Sequence, residues 1–375
     1  MKIELDRSVL TKTLKLMHSV LDRNPKMPVL KHLLVRATPT ELTLAATDLE
    51  LGLQRTLDVS TGGDEALLAP TDPILDFLRE LTTDTIQWAT DSAHTITITA
   101  GKAKAKFKGL DAKEYPALPG IPKPWLCCLP PGDLDQLLEE TLPAVGEADA
   151  RYILNALRLQ FAGDPEASLE VVGTDGHRLV VTKRTTGTWL TTDHRPQTIL
   201  IPKKTGKVLR ALLADTEEQQ IAFSTSNALA AFRLGPYRIT SRLMEGAFPL
   251  YDKVIPAKPA IRFTIPKLVF EDPLRRVSVI SGRDAKPITL AIEANRVVLK
   301  AVNVDLGEAT EAIDTETFPT KEQFLTGFNT HYLLDALETM PGEQCDVHMD
   351  TPIAPCVLTT PEQKDWRHVI MPVKV

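Results

Sequence analysis

Apolar and polar positions along this chain follow two rhythms that take turns. "IELDRSVLTKTLKLMHSVL" from Ile3, "CLPPGDLDQLLEETLPAV" from Cys128 and "FTIPKLVFEDPLRRVSVI" from Phe263 each open as a short alternating strand. Each continues with apolar residues every three or four positions, the spacing of an amphipathic helix. "ALLAPTDPILDFLREL" from Ala66, "TILIPKKTGKVLRALL" from Thr198 and "EQFLTGFNTHYLLDAL" from Glu322 do the same, a strand ending in a polar cap and then a short helix. Prolines at Pro130, Pro131 and Pro266 fall at strand-to-helix junctions, where the first helical turn tolerates them. Late strands close each unit. The first two break at Asp91-Ser92 and Ser226-Asn227, residues suited to hairpin corners.

The pattern repeats. "LTLAATDLELG" from Leu42, "LEVVGTDGHRL" from Leu169 and "VVLKAVNVDLG" from Val297 are each a strand, a polar corner and a second strand, separated by about 128 residues. The spacing predicts an α+β fold of three tandem, similar domains, each a duplicated strand-helix-strands unit. The domains run 1–120, 121–255 and 256–375. The proline-rich stretches Tyr115–Pro131 and Phe248–Ala260 read as short stiff connectors between them. Two helices per domain would cover one face of a sheet, and two such chains meeting head to tail could close into a ring.

Composition narrows the class. In 375 residues, 43% are apolar and 25% charged, the balance of a globular protein with real cores. No apolar run is long enough to span a bilayer and the charged start has no signal-peptide core, so the expectation is a cytoplasmic protein with no membrane role. Four cysteines match neither a zinc site nor a disulfide framework, so reduced thiols, no metal and no cofactor are expected. The net charge of −6 means that any binding to nucleic acid rests on local basic stripes and is weak and salt-sensitive.

The densest chemistry lies in Thr174-Asp175-Gly176-His177-Arg178. Asp175 and His177 could form an acid–base pair, the basis of a hydrolase reading. No nucleophile elbow accompanies them, and no second histidine stands at metal-ligand spacing. Asp-Gly between two β-runs signals a tight turn, and the corner recurs as "ATDLE" and "VNVDL" without the His-Arg pair. The corner is therefore read as structural, with only the middle copy decorated and no catalytic residue.

Longer stretches carry a resemblance: "MPVLKHLLV" (27–35), "ATDLEL" (46–51), "DARYILNALRL" (149–159), "GTDGHRLVV" (173–181), "SRLMEGAFPLYDKVIP" (241–256), "GFNTHYLLDAL" (327–337) and the ending "VIMPVKV". In this order and at this length they resemble the bacterial DNA polymerase III beta subunit family, the sliding clamps. The resemblance implies a homodimer closing a six-domain ring, helices inside and sheets outside, that encircles duplex DNA without sequence preference. Such a ring catalyses nothing. It is a processivity factor in DNA replication, raising the effective concentration of a tethered polymerase. The partners implied are duplex DNA, the catalytic subunit of the replicative polymerase, the clamp loader, and other polymerases and repair proteins carrying clamp-binding peptides.

By match of motif, the resemblance places a peptide pocket between domains 2 and 3. Its residues are Leu154, Thr174, Gly176, His177, Arg178 and Leu179, with Arg151 on the rim, Pro249 and Val254 from the connector, and Pro355, Val369 and Met371 from the C-terminal region. Gly176 lets the backbone turn and a peptide approach. His177 reads as a neutral hydrogen-bonding wall. Arg178 either donates to a peptide carbonyl or pins the corner. Ile153 stands where many family members carry a bulky aromatic or polar residue, which leaves the entrance more open or more apolar.

DNA-facing cations are expected at Arg23 and on one side of a helix at Lys203, Lys204, Lys207 and Arg210, with further stripes at Arg7, Lys12 and Lys15 and at Arg275, Arg276 and Arg283. Acids on the helices near Thr71 and Asp133 are misfits to that picture. For the dimer, Lys104, Lys106 and Phe107 of a basic edge strand would meet Glu308, Glu311, Val279 and Ile280. Two alternatives remain open: a diverged second clamp serving repair, a mobile element or inhibitor tolerance, and the hydrolase.

Overall fold

The computed structural model describes residues 1–22, 24–163, 167–192, 194–214, 216–255, 259–282, 287–293, 295–315 and 324–374. Arg23 and Arg283 lie outside them. Six α-helices stand among the described residues: α1 (Arg7–Val20), α2 (Thr71–Glu80), α3 (Pro131–Thr141), α4 (Lys203–Leu213), α5 (Lys267–Ser281) and α6 (Thr330–Thr339). Each follows directly on a strand, as the alternating rhythm predicts.

Capping explains where the helices start. Asp6 accepts from the backbone N–H of Val9 and opens α1, and Asn329 accepts from that of His331 and opens α6. The four helices between them start behind Pro70, Pro130, Pro202 and Pro266. A proline there holds an extended backbone and gives up an N–H that the residue before a helix does not need.

The strands form four antiparallel sheets. Two are four-stranded. One holds, in order, Lys2–Asp6, Thr85–Thr90, Thr95–Ala100 and Ala103–Lys108. The other holds Gly307–Asp314, Arg296–Asn303, Pro287–Glu293 and Phe324–Asn329. The two larger sheets each join one third of the chain to the next. In the ten-stranded sheet, Leu51–Asp58 pairs with Tyr237–Arg242, in a register that sets Leu53 opposite Ile239. In the eight-stranded sheet, Arg178–Thr185 pairs with Gln363–Ile370, setting Leu179 opposite Val369. The same positions in the repeat make both junctions. Helices follow suit, with α1 against α2, α3 against α4, α5 against α6, and α1 against α4 across the first junction.

The connectors are not spacers. Tyr115 and Leu118 pack with Leu30, Leu34 and Leu68 on the first third, and Phe248, Tyr251 and Ile255 pack on Val172, Leu179, Val181, Val357 and Val369. The proline-rich stretches carry enough apolar area to be buried as covers over the sheets.

Candidate functional site

The Thr174–Arg178 corner is built from its own side chains. The hydroxyl of Thr174 donates to the carbonyl of Arg178 and accepts from the N–H of Gly176. One carboxylate oxygen of Asp175 accepts from the N–H groups of His177 and Arg178, both at 2.9 Å. Thr47, Asp48, Leu49, Glu50 and Leu51 make the same four bonds in the first third. The corner is thus shared by the first two repeats. Its third residue needs a positive φ, +80° at Leu49 and +84° at Gly176, and glycine adopts that conformation without strain. Glycine has a second use at this position. A Cβ there would lie 2.8 Å from the guanidinium of Arg151, which reaches over the corner to the carbonyl of Asp175 at 3.2 Å and pairs with Asp149 at 2.9 Å.

Arg178 answers the choice left open by the sequence. Its guanidinium pairs with Asp175 at 3.2 Å and with Asp335 of α6, donates to the carbonyl of Pro143, and lies 4.3 Å from the ring centre of Tyr332. It pins the corner and ties the second third of the chain to the third. The same contacts occupy Asp175. The ring of His177 is exposed and makes no hydrogen bond among the described residues, so no acid–base pair is assembled.

Beside the corner lies a cavity of about 420 Å³, lined by Arg151, Ile153, Leu154, Thr174, Gly176, His177, Arg178, Leu179, Pro249, Leu250, Tyr251, Val254, Val369 and Met371. Leu154, Leu179 and Val369 are buried and make an apolar floor. Val254 and Met371 stay more than a third exposed at the rim. The N–H of Met371 donates to the carbonyl of His177 at 2.9 Å, which fixes the C-terminal segment against the corner. An apolar floor, a few placed polar groups and this size suit a ligand or a short peptide.

Eleven of the twelve residues expected at the pocket line this cavity. Pro355 does not. It ends a loop that the hydroxyl of Thr326 holds through the carbonyl of Pro352, just before the strand Cys356–Thr360. Leu250 and Tyr251 were missed. They sit between the two named connector residues, and the motif "FPLYDKV" contained the signal, a bulky apolar pair in a short helical turn.

Apart from Arg23, outside the described residues, the expected DNA-facing cations share α4, and each of those four is already engaged. Lys203 donates to the carbonyl of Val145 at 2.7 Å and pairs with Glu147, as does Lys207 at 3.1 Å. Those lysines hold the carboxyl of Glu147 below the usual range. Lys204 reaches Asp22 and Asp48 across the first junction, and Arg210 reaches Asp135 and Glu139 of α3. The acids of α3 are therefore not a misfit. Two neutralise Arg210, Asp133 accepts from Thr186, and buried Glu140 pairs with Arg184 at 2.6 Å. Lys12 and Lys15, exposed on α1, have no ion-pair partner among the described residues.

The residues expected at a dimer contact fall at two sheet edges. Lys104 and Lys106 point outward from Ala103–Lys108, while Phe107 is half-buried against Phe77. Glu308 and Glu311 lie on Gly307–Asp314, paired with Lys300 and Arg276 of the same chain. Val279 is 72% exposed near the end of α5, and Ile280 packs partly on the core.

Comparison with known proteins gives a consistent result. Three family models match consecutive spans: the N-terminal, central and C-terminal domains of the DNA polymerase III beta subunit match residues 1–119, 128–250 and 252–374. The beta sliding clamp of Caulobacter vibrioides (strain NA1000) is 26% identical over 387 residues, and that of Synechocystis 28% over 396, each covering both chains fully. The crystal structure of the sliding clamp from Bartonella birtlesii, bound to griselimycin, superposes with a TM-score of 0.92 at 28% identity over the whole of both chains. That of the DNA polymerase III beta subunit from Pseudomonas aeruginosa gives 0.90 at 23%, also over both whole chains.

Proposed function

The chain belongs to the DNA polymerase III beta subunit family, and from that membership we propose how its surfaces are used. It is a DNA sliding clamp, a processivity factor that encircles duplex DNA as a dimeric ring and tethers polymerase to its template. The family is non-catalytic, and we extend this to the chain itself. The support is that Asp175 is consumed by its own turn and by Arg178.

The cavity between corner, connector and C-terminal segment is the docking site for short linear peptides from the replicative polymerase, the clamp loader and other polymerases and repair proteins. One observation carries this reading: a 420 Å³ cavity, mostly apolar, lined by four separate chain segments, with a few polar groups set among its apolar walls. A calorimetric titration of a Gln-Leu-x-Leu-Phe peptide tests it. Micromolar affinity, about −8 kcal/mol, weakened by Met371→Ala, is expected. No binding to the wild type sinks the reading.

Ring closure follows from repetition. Two junctions inside the chain pair the same two strands of the repeat, and two strands of those kinds, Gly307–Asp314 and Ala103–Lys108, are sheet edges among the described residues. Exposed edges invite pairing. Leu51 corresponds to Gly307, and Tyr237 to Ala103, each the first residue of its strand. Transferring the register of the first junction sets Glu308 opposite Lys106 of the partner subunit and Ala309 opposite Ala105 of the partner subunit. A carboxylate thus faces an ammonium, and small residues meet on the buried side. We take the domains as 1–120, 121–255 and 256–375. Among the described residues no helix is long and apolar enough to cross a membrane, and a clamp acting on the chromosome of a bacterium works in the cytoplasm.

A further inference from the structure

Tyr251 is the wall of the pocket that the sequence did not reveal, and it is held by a network that lies outside the pocket. It opens a short helical turn, Tyr251–Val254, in the connector. Its hydroxyl donates to Glu170 at 2.8 Å. The guanidinium of Arg158 donates to the same carboxylate oxygen at 2.9 Å and to the hydroxyl at 3.3 Å. Arg158 and Glu170 stand on neighbouring strands, and neither lines the cavity. Burial and the adjacent carboxylate push the Tyr251 hydroxyl up to about 12, so it stays a donor at any physiological pH.

Between Gly246 and Ile255, these are the side-chain hydrogen bonds that tie the connector to the sheet among the described residues. The rest of its hold is apolar, through Phe248, Tyr251 and Ile255. Apolar contact is non-directional and tolerates sliding. A hydrogen bond to an ionised carboxylate fixes direction as well as distance. Pro249 and Leu250 precede Tyr251, and Val254 ends its turn, so the placing of one phenol sets the position of the whole connector wall.

We propose that Arg158 and Glu170 are positioning residues for peptide docking, acting through the Tyr251 hydroxyl to hold the connector in its pocket-forming conformation. The proposal rests on the peptide-docking reading of the cavity. Without the latch, the connector samples other placements and the competent fraction falls. Apparent affinity falls with that fraction. Because Glu170 does not line the cavity, the loss appears in association rather than in dissociation.

The test is surface-based binding kinetics of the same peptide on wild type, Glu170→Gln, Tyr251→Phe and the double variant, with thermal unfolding of each. Expected is about a tenfold loss of affinity in each single variant, the size of one charge-assisted hydrogen bond. It should come from slower association, with the double variant no worse than either single and melting temperatures close to wild type. Unchanged affinity in Glu170→Gln overturns the proposal, as do additive losses, which would make the two residues independent. A wild type that does not bind overturns the docking reading itself, and the latch with it.

Discussion

Replacing Arg178 by alanine tests the pinning role that its contacts give it. The guanidinium is only 10% exposed, and it meets Asp175, 17% exposed, and Asp335, 36% exposed. It also satisfies the carbonyl of Pro143 and covers the ring of Tyr332. Removing one member of a buried ion pair costs about 3–5 kcal/mol, because the other is left charged and unpaired. Asp335 is about a third open to water, which relieves part of that penalty, so the expected loss is roughly 2–3 kcal/mol. For a folding unit of this size each kcal/mol lowers the midpoint by about 2–4 °C. The melting temperature should therefore fall by roughly 4–12 °C.

Calorimetry on the variant, with peptide titration well below its transition, reads both quantities. Arg178→Lys should fall between variant and wild type, since an ammonium keeps the charge but not the planar fork that reaches three acceptors at once. If Arg178 served mainly as a donor to bound peptide, the alanine variant would lose affinity at an unchanged melting temperature. That result would refute the pinning argument. The opposite pattern, a lower midpoint with the larger change in stability rather than in binding, is what the four contacts require.

Charge reversal at the ring contact should be reciprocal. Glu308→Lys or Lys106→Glu alone weakens the dimer, by about 1 kcal/mol per contact. The double swap restores it in sedimentation experiments, and failure of the swap would rule out the transferred register. On DNA, Lys12→Ala combined with Lys15→Ala should flatten the salt dependence of binding by about one log unit per lysine contacting phosphate, whereas Lys207→Ala, already paired with Glu147, should change it less. His368 is fully buried, which lowers its pKa to about 3. Between that value and the unfolded value near 6.5 the unfolded chain binds the extra proton. The stability is whole above about pH 6.5 and drains away as pH falls, by roughly 3 kcal/mol at pH 4.5. His368→Leu should melt with a smaller difference between pH 7 and pH 4.5 than wild type.

What could be read from the sequence was what neighbours along the chain decide. Each helix follows its strand because a short alternating run ends in a proline or a cap, and both signals lie within a few residues. The Thr174–Arg178 corner was legible for the same reason, since all four of its hydrogen bonds span four residues or fewer. Distant partners were not legible. Lys204 is spent on Asp22 and Asp48, 182 and 156 residues away, and Tyr251 on Glu170, 81 residues away. No periodicity announces such pairs. Pro355 is not among the residues lining the cavity, and a loosely aligned loop carries no local signal of where it packs.

Those long-range pairs change the physical account of the surface proposed to face DNA. Four cations on one helix face read as a grip on DNA, and two chains would present about eight of them. Each phosphate contact adds roughly 0.9 to the slope of affinity against salt, so eight would make a strong, static binder. A ring that must travel along duplex DNA gains nothing from deep electrostatic wells at each phosphate. In this chain Glu147, Asp22, Asp48, Asp135 and Glu139 take up the charge of α4. The same bonds brace the first junction and hold α3 against α4. An acidic chain, net −6, can then serve on a polyanion, because closure of the ring supplies the retention and the paired interior lets it slide.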